Sequence, residues 1–237
     1  MSTSVMTAQT PEEAQRAYAR LAGLMYFVVL VFDIVGAVIP STVAGSGDFV
    51  ETSHRIVASE TLYRIGLCCT LVGSLATILL AVGLYVAVKP ANGNLALTAL
   101  LFRLAESAIG GVGIILAFTV LQMHVAANHA TAFDANQLGA LADLYAHGGA
   151  TEIGAIFFSV GSTLFFYVFL RSHYIPRILA GWGIVASLVY AAAWFVSLIL
   201  PQDAATAAAY GSAPILIAEL STGFWLLIRG INVQPRK

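Results

Sequence analysis

The sequence predicts an all-α integral membrane bundle of six transmembrane helices, with the N-terminus and C-terminus both cytoplasmic. Three observations predict it. Hydrophobic residues make up 59% of the 237-residue chain and charged residues only 10%, with a mean hydropathy of +0.87. A soluble domain carries about 25% charged residues and needs them to meet water. Six apolar stretches each approach the ~20 residues that cross ~30 Å of hydrocarbon. Lysine and arginine gather in alternate connections, as they do in membrane proteins whose basic loops stay inside.

Residues 1–10 read as a flexible polar tail, not a cleaved signal peptide, because basic residues first appear at Arg16 and Arg20, after a helix has begun. That helix starts at Thr10-Pro11-Glu12-Glu13, where Thr10 caps, Pro11 suits the first position and Glu13 completes a capping box. From there, residues 11–231 form one six-helix domain. The first span covers about 18–39 and is expected to stop at Pro40, which cannot continue a helix. A polar connection follows, in which His54–Ala58 suggests a short helix on the membrane surface. The second span, about 62–88, ends at the Lys89–Asn94 turn, and the third covers about 95–122. A long connection, 123–148, contains no lysine or arginine. The fourth span, about 149–170, closes at Arg171–Arg177; the fifth, about 178–200, closes at Pro201. The sixth covers about 212–229, and a basic tail, 232–237, carries Arg236 and Lys237.

With six spans, one side of the membrane holds Arg16, Arg20, Lys89, Arg171, Arg177, Arg229, Arg236 and Lys237. The other holds Arg55, with Arg64 just inside the second span. This asymmetry places both termini in the cytoplasm. Trp182 fits an interfacial position at one end of the fifth span.

The third span carries an arginine and a glutamate in its interior. At 100° per residue, Arg103, Glu106, Gly110 and Gly113 share one narrow stripe, while leucine, isoleucine and phenylalanine cover the other faces. A charge at the bilayer centre costs about 3 kcal/mol on insertion scales, so that stripe faces other helices and Arg103 requires a carboxylate partner. Glu106 is the local candidate, and Asp33 of the first span or Glu219 of the sixth can reach across. Glu152 adds a fourth acid near the start of the fourth span. The acids outnumber Arg103 and Arg64, so a bound proton, a cation or water must make up the difference. Depth along the helices suggests a cavity in the outer half, with Asp33, Glu219 and Glu152 as acid walls and the Arg103–Glu106 pair as floor. The competing reading is that two charges one turn apart only lock helix packing. The small-residue stripe is assigned to the interior rather than to a dimer contact because it carries the charges, and oligomeric state stays open.

Several chemistries are excluded. A net charge of −1 gives no nucleic-acid footprint. No histidine lies deep in a span and no lysine lies mid-span, so neither haem nor a retinal Schiff base is expected. Cys68 and Cys69 are adjacent within a span and imply no disulfide framework. There is no His-Glu-x-x-His motif, no Cys-x-x-Cys and no nucleophile-elbow serine. A weak constellation remains in the long connection, where His124, His129 and His147 lie near Asp134, Asp143 and Glu152. It is the one candidate metal site and the one support for a hydrolase, although its spacing matches no standard ligand motif.

The runs Phe102-Arg103-Leu104-Ala105-Glu106 and Arg171-Ser172-His173-Tyr174-Ile175-Pro176-Arg177-Ile178-Leu179 resemble the two best-kept stretches of a bacterial membrane family, domain of unknown function 4386. Leu84-Tyr85 ahead of Lys89-Pro90, and Glu219 in the last span, fit the same pattern. His173 stands where members often carry glycine. The resemblance implies six helices in a bacterial cytoplasmic membrane and brings no reaction with it. Three functions follow in order: binding or movement of a small solute, ion or proton through the acid-lined interior; an intramembrane or metal-assisted enzyme; and a structural or accessory subunit whose only certain partner is the lipid bilayer.

Overall fold

The computed structural model describes residues 10–127, 133–146, 148–200, 202 and 204–233. The expected flexible tail over residues 1–9, Pro201, and the end of the basic tail at residues 234–237 lie outside the described residues. Those described form eight helices: α1 (Pro11–Ala44), α2 (Phe49–Ala58), α3 (Glu60–Val88), α4 (Gly93–Ala126), α5 (Ala135–Ala146), α6 (Ala150–Ser172), α7 (Arg177–Ile199) and α8 (Ala204–Ile228). Six of them, α1, α3, α4, α6, α7 and α8, are long and apolar enough to cross a membrane.

Local chemistry explains most of the boundaries. The Thr10 hydroxyl accepts from Glu13 N–H at 3.3 Å, and the Glu13 carboxylate accepts from Thr10 N–H at 2.9 Å, which is the expected capping box. Asn92 caps α4 by accepting from Leu95 N–H at 3.1 Å, and Asp48 caps α2 by accepting from Glu51 N–H at 2.8 Å. Pro40 does not end the first span. α1 runs through it to Ala44, where Gly45 turns the chain at a φ of 60°. Proline cannot donate to the Gly36 carbonyl and its ring crowds that turn. Packing overrides this: α3 presents Gly66 to the Pro40 ring, so closely that a Cβ there would lie 2.6 Å from Pro40 Cδ.

Two other boundaries moved. The connection at 123–148 contains a helix, α5, capped by Asp134 and Gln137, each side chain accepting from the other's N–H. α8 begins at Ala204, two turns before the expected 212, through an alanine-rich stretch of high helix propensity.

The six long helices close into a ring in chain order: α1 packs on α3, α3 on α4, α4 on α6, α6 on α7, α7 on α8, and α8 returns to α1. Successive helices run antiparallel. One end of the ring, here the near end, therefore carries Thr10, the Lys89–Asn92 turn, the α6–α7 link and Val233. The far end carries α2 and α5. The ring is packed solid in its near half, around Phe165, Phe166 and Phe169 of α6, Leu84 of α3 and Leu226 of α8. Large apolar side chains such as Leu101, Ile115, Leu188 and Phe224 point outward from it, as lipid-facing residues do.

Candidate functional site: a charged cavity inside the ring

Beyond the solid half, the ring is hollow. A cavity of about 260 Å³ opens at the level of Arg103 and is lined from all six long helices. Arg103 is only 3% exposed. Its stem lies on α6 at Gly161, where a Cβ would come within 3.0 Å of Arg103 Cγ, so glycine is what lets the arginine bend inward. Its guanidinium carbon stands 4.5 Å from the centre of the Phe158 ring, a cation–π contact. Arg103 Nη1 approaches Glu106 Oε2 at 3.0 Å, as the one-turn spacing predicts. The approach is close but out of line, and Arg103 Nε, Arg103 Nη1 and Glu106 Oε2 are left without a hydrogen-bond partner. Buried polar atoms are nearly always hydrogen-bonded, so the geometry of this ion pair sets it apart from ordinary helix packing.

The other walls carry the remaining acids. Asp33 of α1 and Glu219 of α8 line the cavity with Glu106, close enough to Arg103 for the charges to interact. Asp33 is exposed and is backed by Gly73 of α3, so closely that any Cβ at that position would strike the carboxylate. Tyr26 of α1 and Tyr190 of α7 complete the polar lining. Tyr190 also meets Phe158 edge-on, with ring centres 5.4 Å apart. Three carboxyl groups thus line a cavity with one guanidinium, Glu106 and Glu219 partly buried and Asp33 exposed, and uncompensated charge is costly where water is scarce.

The structure treats the predicted residues differently. Arg103, Glu106, Asp33 and Glu219 come together. Glu152 does not: α6 turns Thr151, Ala155 and Phe158 to the cavity, and Glu152, one residue on from Thr151, points 100° away. Arg64, a possible partner for an interior acid, pairs instead with Glu60 at 2.6 Å. His124 lies at the far end, where its Nδ1 is 2.8 Å from Ser53 Oγ and its ring stacks on Phe49 at 4.7 Å. It clasps α2 to α4. Asp134 is engaged in capping α5, and His129 and His147 lie outside the described residues. Among the described residues, no three histidine, cysteine, aspartate or glutamate side chains gather as a metal ion requires. Phe158, Tyr190 and the hydroxyl residues Thr77 and Thr151 were not legible as site residues, because a ring or hydroxyl on an apolar helix reads as packing.

Six membrane-length helices around a cavity that holds ionisable side chains define a multi-pass helical membrane protein with a charged interior. The family model described as "Domain of unknown function (DUF4386)" matches residues 21–230, and the chain belongs to that family, as the Phe102–Glu106 and Arg171–Leu179 runs predict. No curated protein and no solved structure matches the chain.

Proposed function

We propose that this protein binds a small solute, ion or proton in the cavity between its helices and moves it across a bacterial cytoplasmic membrane, with both termini inside. The single observation that carries the reading is Arg103, almost fully buried and ion-paired with Glu106 in a cavity that two further acids line. Intramembrane ionisable residues that line a cavity mark ion, proton and solute paths more often than they mark packing. Three acids against one arginine favour a cationic occupant or a proton. The near end carries Arg16, Arg20, Lys89, Arg171, Arg177 and Arg229, and the far end Arg55 and Arg64, which supports a cytoplasmic near end.

The test is flux into proteoliposomes, read with radiolabelled methylammonium and with an entrapped pH-sensitive dye. The wild type is expected to pass one of the two probes. Glu106→Gln is expected to insert with unchanged helix content and to lower that flux at least about tenfold, the effect of losing one charge-assisted contact. Equal flux through Glu106→Gln, or no flux of either probe through the wild type, refutes the proposal. One observation favours a second reading, that the pair only locks the bundle: the Arg103 stem and guanidinium are packed against Gly161 and Phe158.

A further inference from the structure

We infer that the near end of the bundle holds a site for the phosphate headgroup of an anionic phospholipid, built from Arg16 and Arg20 of α1 and Arg229 just past the end of α8. This site is independent of the charged cavity, so the failure of either reading leaves the other standing.

Packing forces the three arginines together. α1 and α8 cross at Gly23 and Gly223, so closely that a Cβ on Gly23 would lie 2.5 Å from the Leu227 nitrogen. Arg20 stands one turn from that crossing on α1, and Arg229 two residues past Leu227. Arg16 lies one turn beyond Arg20 on the same face. After α8, Gly230 turns the chain at a φ of 70°, and the Asn232 N–H donates to the Tyr174 carbonyl at 3.0 Å. That bond fastens the C-terminal segment to the α6–α7 link and supplies a third wall. The result is a pocket of about 650 Å³, lined by the three arginines, His173 and residues 230–233.

Its charge is uncompensated. Among the described residues, no acid lines the pocket and no carboxylate lies within 4 Å of its arginines; the ion pairs are those of Arg55, Arg64 and Arg103. Glu13 is spent on the Thr10 cap, and Glu12 lines a separate groove with Gln15 and Pro90. Residues 1–9 and 234–237 contain no aspartate or glutamate. Guanidinium groups held side by side repel one another, so an anion is what stabilises them, and their planar fork matches phosphate oxygens.

Position selects a lipid over a free anion. Arg20 immediately precedes the apolar run of the first span, and Arg229 immediately follows that of the last. The pocket therefore lies at the level of the headgroups, where basic pockets between membrane helices take anionic lipids. On the membrane side of Arg20 comes Leu24, one turn along the same face, and on that of Arg229 come Ile228 and Phe224; all three are exposed. A phosphate among the arginines leaves its acyl chains along this apolar seam of the same two helices.

The experiment is native mass spectrometry of the full chain in detergent micelles, titrated with phosphatidylglycerol or with phosphatidylcholine of the same acyl chains. The wild type is expected to bind the first phosphatidylglycerol with a Kd about a hundredfold below that of phosphatidylcholine, each arginine near the headgroup contributing about fivefold. Replacing Arg16, Arg20 and Arg229 together by glutamine is expected to bring the two Kd values together. All three side chains are exposed, so this variant should keep the wild-type Tm. Arg171→Gln with Arg177→Gln removes two near-end cations that do not line the pocket and should keep the preference. Equal affinity for the two lipids in the wild type, or a preference that survives the triple substitution, overturns the inference. So does a preference lost equally in the double variant, because charge spread over the whole near end then explains it. Inorganic phosphate is the last arm: it should leave phosphatidylglycerol bound, and displacement means that the pocket takes a free anion instead.

Discussion

Replacing Arg103 by leucine separates a charged site from a packing lock. The leucine keeps apolar volume against Gly161 but removes the guanidinium 3.0 Å from Glu106 Oε2 and 4.5 Å from the Phe158 ring. Breaking a buried ion pair by removing one partner costs ~3–5 kcal/mol, because the other charge is stranded. Glu106 retains 20% side-chain exposure, so water in the cavity solvates it in part and the lower end, about 3 kcal/mol, applies. Loss of the cation–π contact adds about 1 kcal/mol. At ~2–4 °C per kcal/mol for a chain of this length, Tm should drop by roughly 8–16 °C. Adding Glu106→Leu removes the stranded acid, so the double variant should return to within about 1 kcal/mol of wild type, a coupling of at least ~3 kcal/mol. The assay is thermal unfolding of all four proteins in nanodiscs of one lipid composition, followed by tryptophan fluorescence. A single variant that loses less than about 1 kcal/mol, or a double variant whose loss is the sum of the singles, refutes the claim that the pair is electrostatically coupled in a low-dielectric interior. A restored double variant that also passes solute at the wild-type rate leaves the packing lock as the account of these two residues.

Three further outcomes are expected. His173 holds a left-handed φ of 57° at the end of α6, where a side chain costs ~1–2 kcal/mol and glycine nothing. His173→Gly should therefore raise Tm, and an unchanged or lower Tm would show that the histidine side chain contributes something glycine cannot. Ser53→Ala removes the contact to His124 Nδ1 at 2.8 Å and a bond to the Phe49 carbonyl at 2.6 Å, so amide exchange in α2 should quicken about fivefold, for roughly 1 kcal/mol, while Tm barely moves. Exchange that stays at the wild-type rate means α2 is held by Ile56 alone. For orientation, an impermeant maleimide applied to intact cells should label Ser46→Cys at the far end but spare Asn92→Cys at the near end, in a background where Cys68 and Cys69 are serine; the reverse pattern inverts the topology.

Much of the fold was legible because the bilayer imposes one-dimensional rules. The number of spans, their approximate limits, the capping box at Thr10 and the inward turn of Arg103 follow from hydropathy, helical period and the cost of charge in hydrocarbon. The limits failed where tertiary packing outvoted a local signal. Pro40 lies inside α1 because Gly66 of α3 makes room for its ring, and that partner is 26 residues away. α5 was missed although Asp134 and Gln137 spell a cap, because its amphipathic stretch is short and lies among polar residues.

The candidate site divides along the same line. Which residues are too polar for lipid is a property of each helix alone, so Asp33, Arg103, Glu106 and Glu219 stood out without coordinates. Which of them share a cavity depends on helix rotation and on ring order, which only packing decides. The same packing turned Glu152 aside, paired Arg64 with Glu60 and brought Phe158 over the guanidinium. Period and hydropathy say that a face must be hidden, but the opposing surface belongs to residues far away in the chain. That complementarity exists only once the helices have closed into a ring.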